Sequence, residues 1–373
     1  MAGLNYGFKE EWKNPQKSCQ IFLKPMGFKT IFITGYKNGL YFKAGQKYLC
    51  PGCIIFTYKK KRGIIMDISL RLKGGLYGML AGDALGVPYE FHDANEIPSY
   101  NEIEMVPPSG FYRSHAGIKP GTWSDDGAQA LCLLESLVTC RGFNLEDFSG
   151  RLLAWYEEGK WAVNGIVFDV GIQTGEALMA YRAGLEPEKC GLLRPDGKGN
   201  GALMRVLPLA LWHKGTDKEL IKDAHRQCLV THGHICNQVC CALYCLVARF
   251  LLKGLCFKDA LSNGLDVLND IYNNMPEYKQ ELEWSIRPGS AWEGSGGGYV
   301  VDCLKSAFMV MGRAISYEDA IKQSVLLGND TDTTACVTGG LAGILYGFNG
   351  IPERWYNALE GKEDVEMLAS NIN

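Results

Sequence analysis

Apolar residues change their spacing once along this chain. Between Gln20 and Met66 they come in short runs rich in β-formers: Ile21-Phe22-Leu23, Thr30-Ile31-Phe32-Ile33-Thr34, Leu40-Tyr41-Phe42, Ile54-Ile55-Phe56-Thr57-Tyr58 and Ile64-Ile65. Turn formers separate them at Pro25-Met26-Gly27, Lys37-Asn38-Gly39, Pro51-Gly52 and Arg62-Gly63. Such runs predict short strands and tight connections. From Asp67 onward apolar residues recur three and four apart, which is helical spacing. Helices are predicted over 69–86, 124–141, 145–157, 169–183, 202–213, 217–229, 234–253, 257–272, 299–311, 317–327 and 331–348. Strands and helices do not alternate, so a doubly wound sheet is excluded. The expected organisation is a β-rich extension over residues 1–66 and one all-α domain over residues 67–373.

Two of the predicted helices begin with unusual chemistry. Gly328-Asn329-Asp330-Thr331-Asp332-Thr333-Thr334 precedes an apolar helix in which Gly339, Gly340, Gly343 and Gly347 would admit close neighbours. Far upstream, Gly121-Thr122-Trp123-Ser124-Asp125-Asp126-Gly127 opens another. Either alone reads as an N-cap, since Asp, Ser and Thr satisfy free N–H groups there. Together they hold four carboxylates, and no Lys or Arg lies close in sequence to either set. Clustered interior carboxylates must be neutralised, paired or metal-bound. If the two helix starts meet, one or two hard divalent cations are the economical answer. All-oxygen ligands favour magnesium, manganese or calcium over zinc.

Charge and cysteine content add a division and a compartment. Residues 1–66 carry a net charge of +10 and the remainder −13, although the whole chain is only −3. That asymmetry suggests two modules with different electrostatic tasks. Many of the 14 cysteines sit inside apolar helical patterns, as buried thiols do. Residues 1–20 are polar and broken by Pro15, which does not resemble a signal peptide. Reduced thiols in a cytoplasmic protein are expected. No apolar run appears long enough to span a membrane. Cys50-Pro51-Gly52-Cys53 reads as a tight turn, because a structural zinc site needs two more ligands and only Cys19 is near.

Other stretches carry weaker signals. Glu90 follows the helix stop Gly86-Val87-Pro88. Lys198-Gly199-Asn200-Gly201-Ala202-Leu203-Met204-Arg205 is a Gly-rich helix entrance whose N–H groups could face a phosphate, with Arg205 adding charge. Ser295-Gly296-Gly297-Gly298-Tyr299 is a second, with an aromatic ring suited to a base. Thr231-His232-Gly233-His234 opens another helix, with no paired Ser or Cys nucleophile.

Taken in order, Gly82-Asp83-Ala84-Leu85-Gly86, Trp123-Ser124-Asp125-Asp126, Gly199 to Arg205, Thr231-His232, Gly298 to Asp302 and Gly328 to Thr333 resemble the ADP-ribosylglycohydrolase family. The resemblance covers about residues 68–360 and leaves out residues 1–66. It implies an all-α fold with a binuclear magnesium centre, manganese being the substitute ion. By motif, Ser124, Asp125 and Asp126 look like one half of the metal shell, and Asp330, Asp332 and Thr333 like the other. Gly199, Asn200, Gly201, Met204, Arg205, Gly297, Gly298 and Tyr299 look like the ADP-ribose cradle, with His232 lining the same cleft. Asp126, Glu90 and Asp169 are the candidate catalytic acids. Family members commonly carry Thr where this chain has Gly127, which is expected to loosen the helix start or open room near the metals.

The implied function is magnesium-dependent hydrolysis of ADP-ribose from modified protein side chains, arginine first. A rival from another class is an immunity protein that blocks an ADP-ribosylating toxin through residues 1–66. Binding of nucleic acid by the basic, aromatic extension is a third reading. No membrane partner is expected.

Overall fold

The computed structural model describes residues 66–372, with the backbone of two short strands, β1 (Thr34–Tyr36) and β2 (Gly39–Tyr41). β1 and β2 pair antiparallel, Thr34 opposite Tyr41 and Tyr36 opposite Gly39, flanking the Lys37-Asn38-Gly39 turn signal. The other expected strands and the Cys50–Cys53 turn lie outside the described residues. The chain divides into two units, Met1–Gly63 and Ile64–Asn373.

The second unit is helical. In order it holds α1 (Ile68–Gly86), α2 (Asp125–Cys140), α3 (Leu145–Glu158), α4 (Ile172–Arg182), α5 (Pro187–Cys190), α6 (Leu207–Trp212) and α7 (Asp217–Cys228). Then come α8 (Ile235–Leu252), α9 (Phe257–Tyr272), α10 (Pro276–Glu281), α11 (Val300–Met311) and α12 (Tyr317–Val325). α13 (Thr331–Tyr346), α14 (Glu353–Ala358) and α15 (Lys362–Ala369) end it. Residues 66–372 contribute no strand to a sheet, so the expected all-α class holds there.

Differences from the sequence reading have local causes. The helix predicted over 202–213 starts only at Leu207, where Pro208 suits a first turn that needs no N–H from it. The helix predicted over 169–183 starts at Ile172, because Asp169 sits at φ +57°, outside the helical region. α10 and α14, of six residues each, are too short to show a period.

α1 and α13 form the centre, and their contact is made by glycine. Gly74, Gly78, Gly82 and Gly86 lie four apart, on one face of α1. A Cβ on each would overlap backbone of α13 or its C-terminal edge: Gly343, Gly339, Ala335 and Asp332 in turn. Gly339 and Gly343 return the fit against Gly78 and Gly74. The ridge runs from Gly347 down to Asp332, so the close approach ends at the polar entrance of α13.

α8 corrects one expectation. Its 18 residues have a mean hydropathy of 1.8, long and apolar enough to cross a membrane. It is a core helix instead, 83% buried, packed on α7 and α9.

Candidate active site

The entrances of α2 and α13 do meet. Ser124 caps α2, its hydroxyl accepting from the Asp126 N–H at 3.3 Å. The rest of the cap comes from α1. Asp83 accepts from the Ser124 N–H at 2.9 Å and the Gly127 N–H at 2.8 Å. Burial pushes the Asp83 carboxyl up to about 7, against the pull of those two bonds. Asp83 lay in a quoted motif without a role. A carboxylate inside an apolar helix was the signal, since it must find donors.

On the other side, the Asp330 N–H donates to the Gly296 carbonyl at 2.9 Å. The Thr331 hydroxyl donates to the Gly86 carbonyl at 2.8 Å, tying α13 to the end of α1. Asp332 accepts from the Thr333 N–H at 2.8 Å, and the Thr333 hydroxyl reaches Asp126 at 3.4 Å, across the junction. One oxygen of Asp126 and one of Asp332 are buried with no hydrogen-bond partner. Among the described residues no Lys or Arg forms an ion pair with Asp83, Asp125, Asp126, Asp169, Asp330 or Asp332. Burial, then the neighbouring carboxylates, hold Asp125, Asp126 and Asp332 well above the usual carboxylate range. Buried carboxyl oxygens left without a partner at two adjoining helix starts, with no Lys or Arg paired to them, fit a divalent cation.

Glu90 completes this wall, within 4.8 Å of ligand atoms of Asp330 and Asp332. Burial pushes its carboxyl up to about 8. His115, unnoticed in the sequence, sits 2.7 Å from Glu90. Its ring lies 5.8 Å from Phe91 and 5.2 Å from Phe168. Nothing in its sequence context marked it, because it comes from a loop 25 residues beyond Glu90. Asp169 joins Glu90 and His115 in one cluster. Burial raises its carboxyl while His115 opposes that shift. Two of the three candidate acids, Glu90 and Asp169, therefore share one cluster, and Asp126 lies across the junction, 3.4 Å from the Thr333 hydroxyl. A cleft of about 420 Å³ opens over it between Glu90, Phe91, Gly298 and Asp330.

The two Gly-rich stretches are hydrogen-bonded to each other. The Asn200 N–H donates to the Gly298 carbonyl at 3.0 Å and the Val300 N–H to the Lys198 carbonyl at 2.9 Å. Gly199 faces Tyr299 in a bridge. The Asn200 amide donates to Asp330 at 2.8 Å, which joins this cradle to the carboxylates. His232 is buried beneath it, and a Cβ on Gly201 would lie 2.6 Å from its ring. Burial, then Arg205, lowers His232 to about 3, so the ring is neutral. Tyr299 is 44% exposed beside the cradle.

Four expectations are corrected. Arg205 offers nothing to a phosphate: it is completely buried and bonded to Gln129, Gln227 and Thr231. Met204 is buried in the apolar core, because residues 201–205 form turns that send their side chains inward. The Gly297 N–H is taken by Asp302 at 2.7 Å and is not free for a ligand. Gly127 opens no room, since a Cβ there would lie 2.8 Å from both Leu80 and Trp123.

A sequence model described as ADP-ribosylglycohydrolase matches residues 66–373. This chain belongs to the ADP-ribosylglycohydrolase family. Among curated proteins it is similar to the ADP-ribosylarginine hydrolase Tri1 of Serratia proteamaculans (strain 568), 29% identical over 81% of this chain and 78% of that one. The Pseudomonas putida (strain GB-1) protein of the same name is 30% identical over 81% and 77%. The ADP-ribosyl-[dinitrogen reductase] glycohydrolase of Rhodospirillum rubrum is 26% identical over 80% and 92%. A solved structure titled "ADP-ribosylglycohydrolase-related protein complex" superposes with a TM-score of 0.64 at 32% identity, covering 82% of this chain and 97% of that one. The enzyme's family span starts at residue 66, so the basic extension lies outside it.

Proposed function

We propose that this ADP-ribosylglycohydrolase releases ADP-ribose from modified arginine side chains of proteins, using two Mg²⁺ ions for which Mn²⁺ can substitute. The carrying observation is the pair of partnerless buried oxygens on Asp126 and Asp332, at two helix starts that converge. Arginine is favoured because the Serratia and Pseudomonas relatives are named ADP-ribosylarginine hydrolases. Ser124, Asp125 and Asp126 from α2, with Asp330, Asp332 and Thr333 from α13, would hold the ions. When bound, such ions orient ribose hydroxyls and lower the pKa of a water.

The protein's own groups do the rest. The cradle of Gly199–Gly201 and Gly298–Tyr299 seats the ADP-ribose, with Tyr299 at the base and Asn200 fixing the cradle on Asp330. The carboxylate walls favour positive charge developing at the anomeric carbon as the glycosidic bond lengthens. Glu90, tethered by His115, moves a proton between leaving group and water. Water adds to the anomeric carbon, and arginine leaves with the proton.

The described cysteines are free thiols, which supports a reducing, cytoplasmic setting. The side chains that the toxin and nucleic-acid readings of residues 1–66 invoke lie outside the described residues. The test is release of ADP-ribose from a protein modified on arginine, with Mg²⁺ and with chelator. Release that needs the cation supports the reading. Release unchanged in chelator, or release only from serine-modified protein, overturns it.

A further inference from the structure

Arg205 is an arginine with no access to solvent in a fold whose site is acidic. Four of its N–H groups are used inside the protein. Nη1 donates to the Gln129 side-chain carbonyl at 2.8 Å, and Nε to that of Gln227 at 3.2 Å. Nη2 donates to the Gln227 main-chain carbonyl at 3.1 Å and to the Thr231 hydroxyl at 2.8 Å. Its guanidinium also lies 5.3 Å from the Phe148 ring.

A guanidinium only donates, and this decides what its partners do next. Gln129 must turn its carbonyl to Arg205, so its amide faces the other way and donates to Asp125 at 2.8 Å. One oxygen of Asp125 is thereby occupied and the carboxylate is held in one orientation. Gln227 likewise turns its amide onto the Ala202 carbonyl, within the cradle turn, at 3.1 Å. Thr231 accepts from Arg205 and is itself fully buried. Its oxygen lies 2.9 Å from Nδ1 of His232, whose ring packs under Gly199 and Gly201. A hydroxyl that donates to Nδ1 would leave the His232 proton on Nε2.

We propose that Arg205 is the positioning residue that ties the cation-holding half of the site to the ADP-ribose cradle, acting through Gln129 on Asp125 and through Thr231 on His232. This rests on the site proposed above, and adds that one buried charge sets the geometry of both halves. The sequence showed no basic residue near the aspartates because the link is made across α2 and the 200–205 turn.

The test uses the full chain and two calorimetric titrations, Mg²⁺ alone and ADP-ribose at saturating Mg²⁺. Gln129→Met should weaken Mg²⁺ binding by about 10- to 100-fold, as loss of a ligand's supporting partner does. It should change ADP-ribose affinity at saturating Mg²⁺ by less than about twofold. Thr231→Val should do the reverse, weakening ADP-ribose roughly fivefold. It should also remove the Nε2–H tautomer signature of His232 in ¹⁵N spectra. Arg205→Lys should weaken both titrations. If Arg205→Lys does not fold, the other two variants decide. Equal losses in both titrations from each variant, or no loss, overturn the proposal. A wild-type protein that binds neither Mg²⁺ nor ADP-ribose would instead overturn the function on which it rests.

Discussion

Gly86 sits where the fold hands over to the site, and Gly86→Ala should damage the second far more than the first. Its backbone is helical, φ −71° and ψ −37°, so alanine is conformationally acceptable there. In a helix alanine is worth roughly 0.5–1 kcal/mol over glycine. The obstacle is contact. A Cβ would overlap the Thr331 carbonyl and the Asp332 Cα, and would lie 2.6 Å from the Asp332 nitrogen. Carbon contacts settle near about 3.5 Å, so α13 must recede by roughly 1.1 Å to clear the Asp332 Cα. All the obstructing atoms are backbone, and no rotamer change relieves them. Overpacking of this kind costs about 1–3 kcal/mol. Net of the helix gain, the protein should lose no more than about 2.5 kcal/mol and remain folded. The same displacement moves Asp332 and Thr333 away from Asp126, and a misplacement near 1 Å costs about 100-fold in rate. The assay is ADP-ribose release at saturating Mg²⁺, with urea unfolding alongside. Gly142→Ala is the control, since a Cβ there meets nothing within 4 Å. Wild-type activity in Gly86→Ala would refute the idea that the glycine ridge sets the metal-ligand geometry.

Stability without divalent cations should depend on pH in an uncommon direction. Glu90 is raised from 4.5 to about 8 and Asp83 from 3.8 to about 7, both first by burial. The folded state therefore binds more protons than the unfolded one, and the stability this gives is present below the unfolded values and lost as pH rises through the folded ones. In chelator the thermal midpoint should fall from about pH 5 to about pH 8, and saturating Mg²⁺ should flatten the slope. A midpoint that rises over that window in chelator would contradict the carboxylate assignment. Tyr299→Ala should raise the ADP-ribose Kd roughly tenfold, within the range for a base stacked on an aromatic ring. An unchanged Kd would remove Tyr299 from the cradle. Deleting residues 1–63 should leave the helical circular dichroism and the hydrolysis of free ADP-ribosyl-arginine unchanged, because the family match begins at residue 66. Loss of either would make the extension structural.

The sequence carried the helical class and the two acidic helix starts, because periodicity and carboxylates without local counter-charge are visible in one dimension. It also carried both Gly-rich stretches, and their pairing through Asn200 and Gly298 brings them to the site as one cradle. Long-range partners were not visible. His115 reaches Glu90 from a loop, and Asp83 caps a helix whose N-cap residue, Ser124, comes 41 residues later. Arg205 looked like a phosphate ligand because a basic residue after a Gly-rich turn resembles one. Only packing shows that Ala202 to Val206 point inward. The spacing of Gly74, Gly78, Gly82 and Gly86 was in plain view, but its meaning needed the opposing helix.

The central claim is that Asp126 and Asp332 share divalent cations across the junction of α2 and α13. Crystals grown with Mn²⁺, with data collected at the manganese edge, test it most directly. Two anomalous peaks are expected, with the now partnerless oxygens of Asp126 and Asp332 at bonding distance. No peak at that junction at millimolar Mn²⁺, with both oxygens still unpaired, would contradict it.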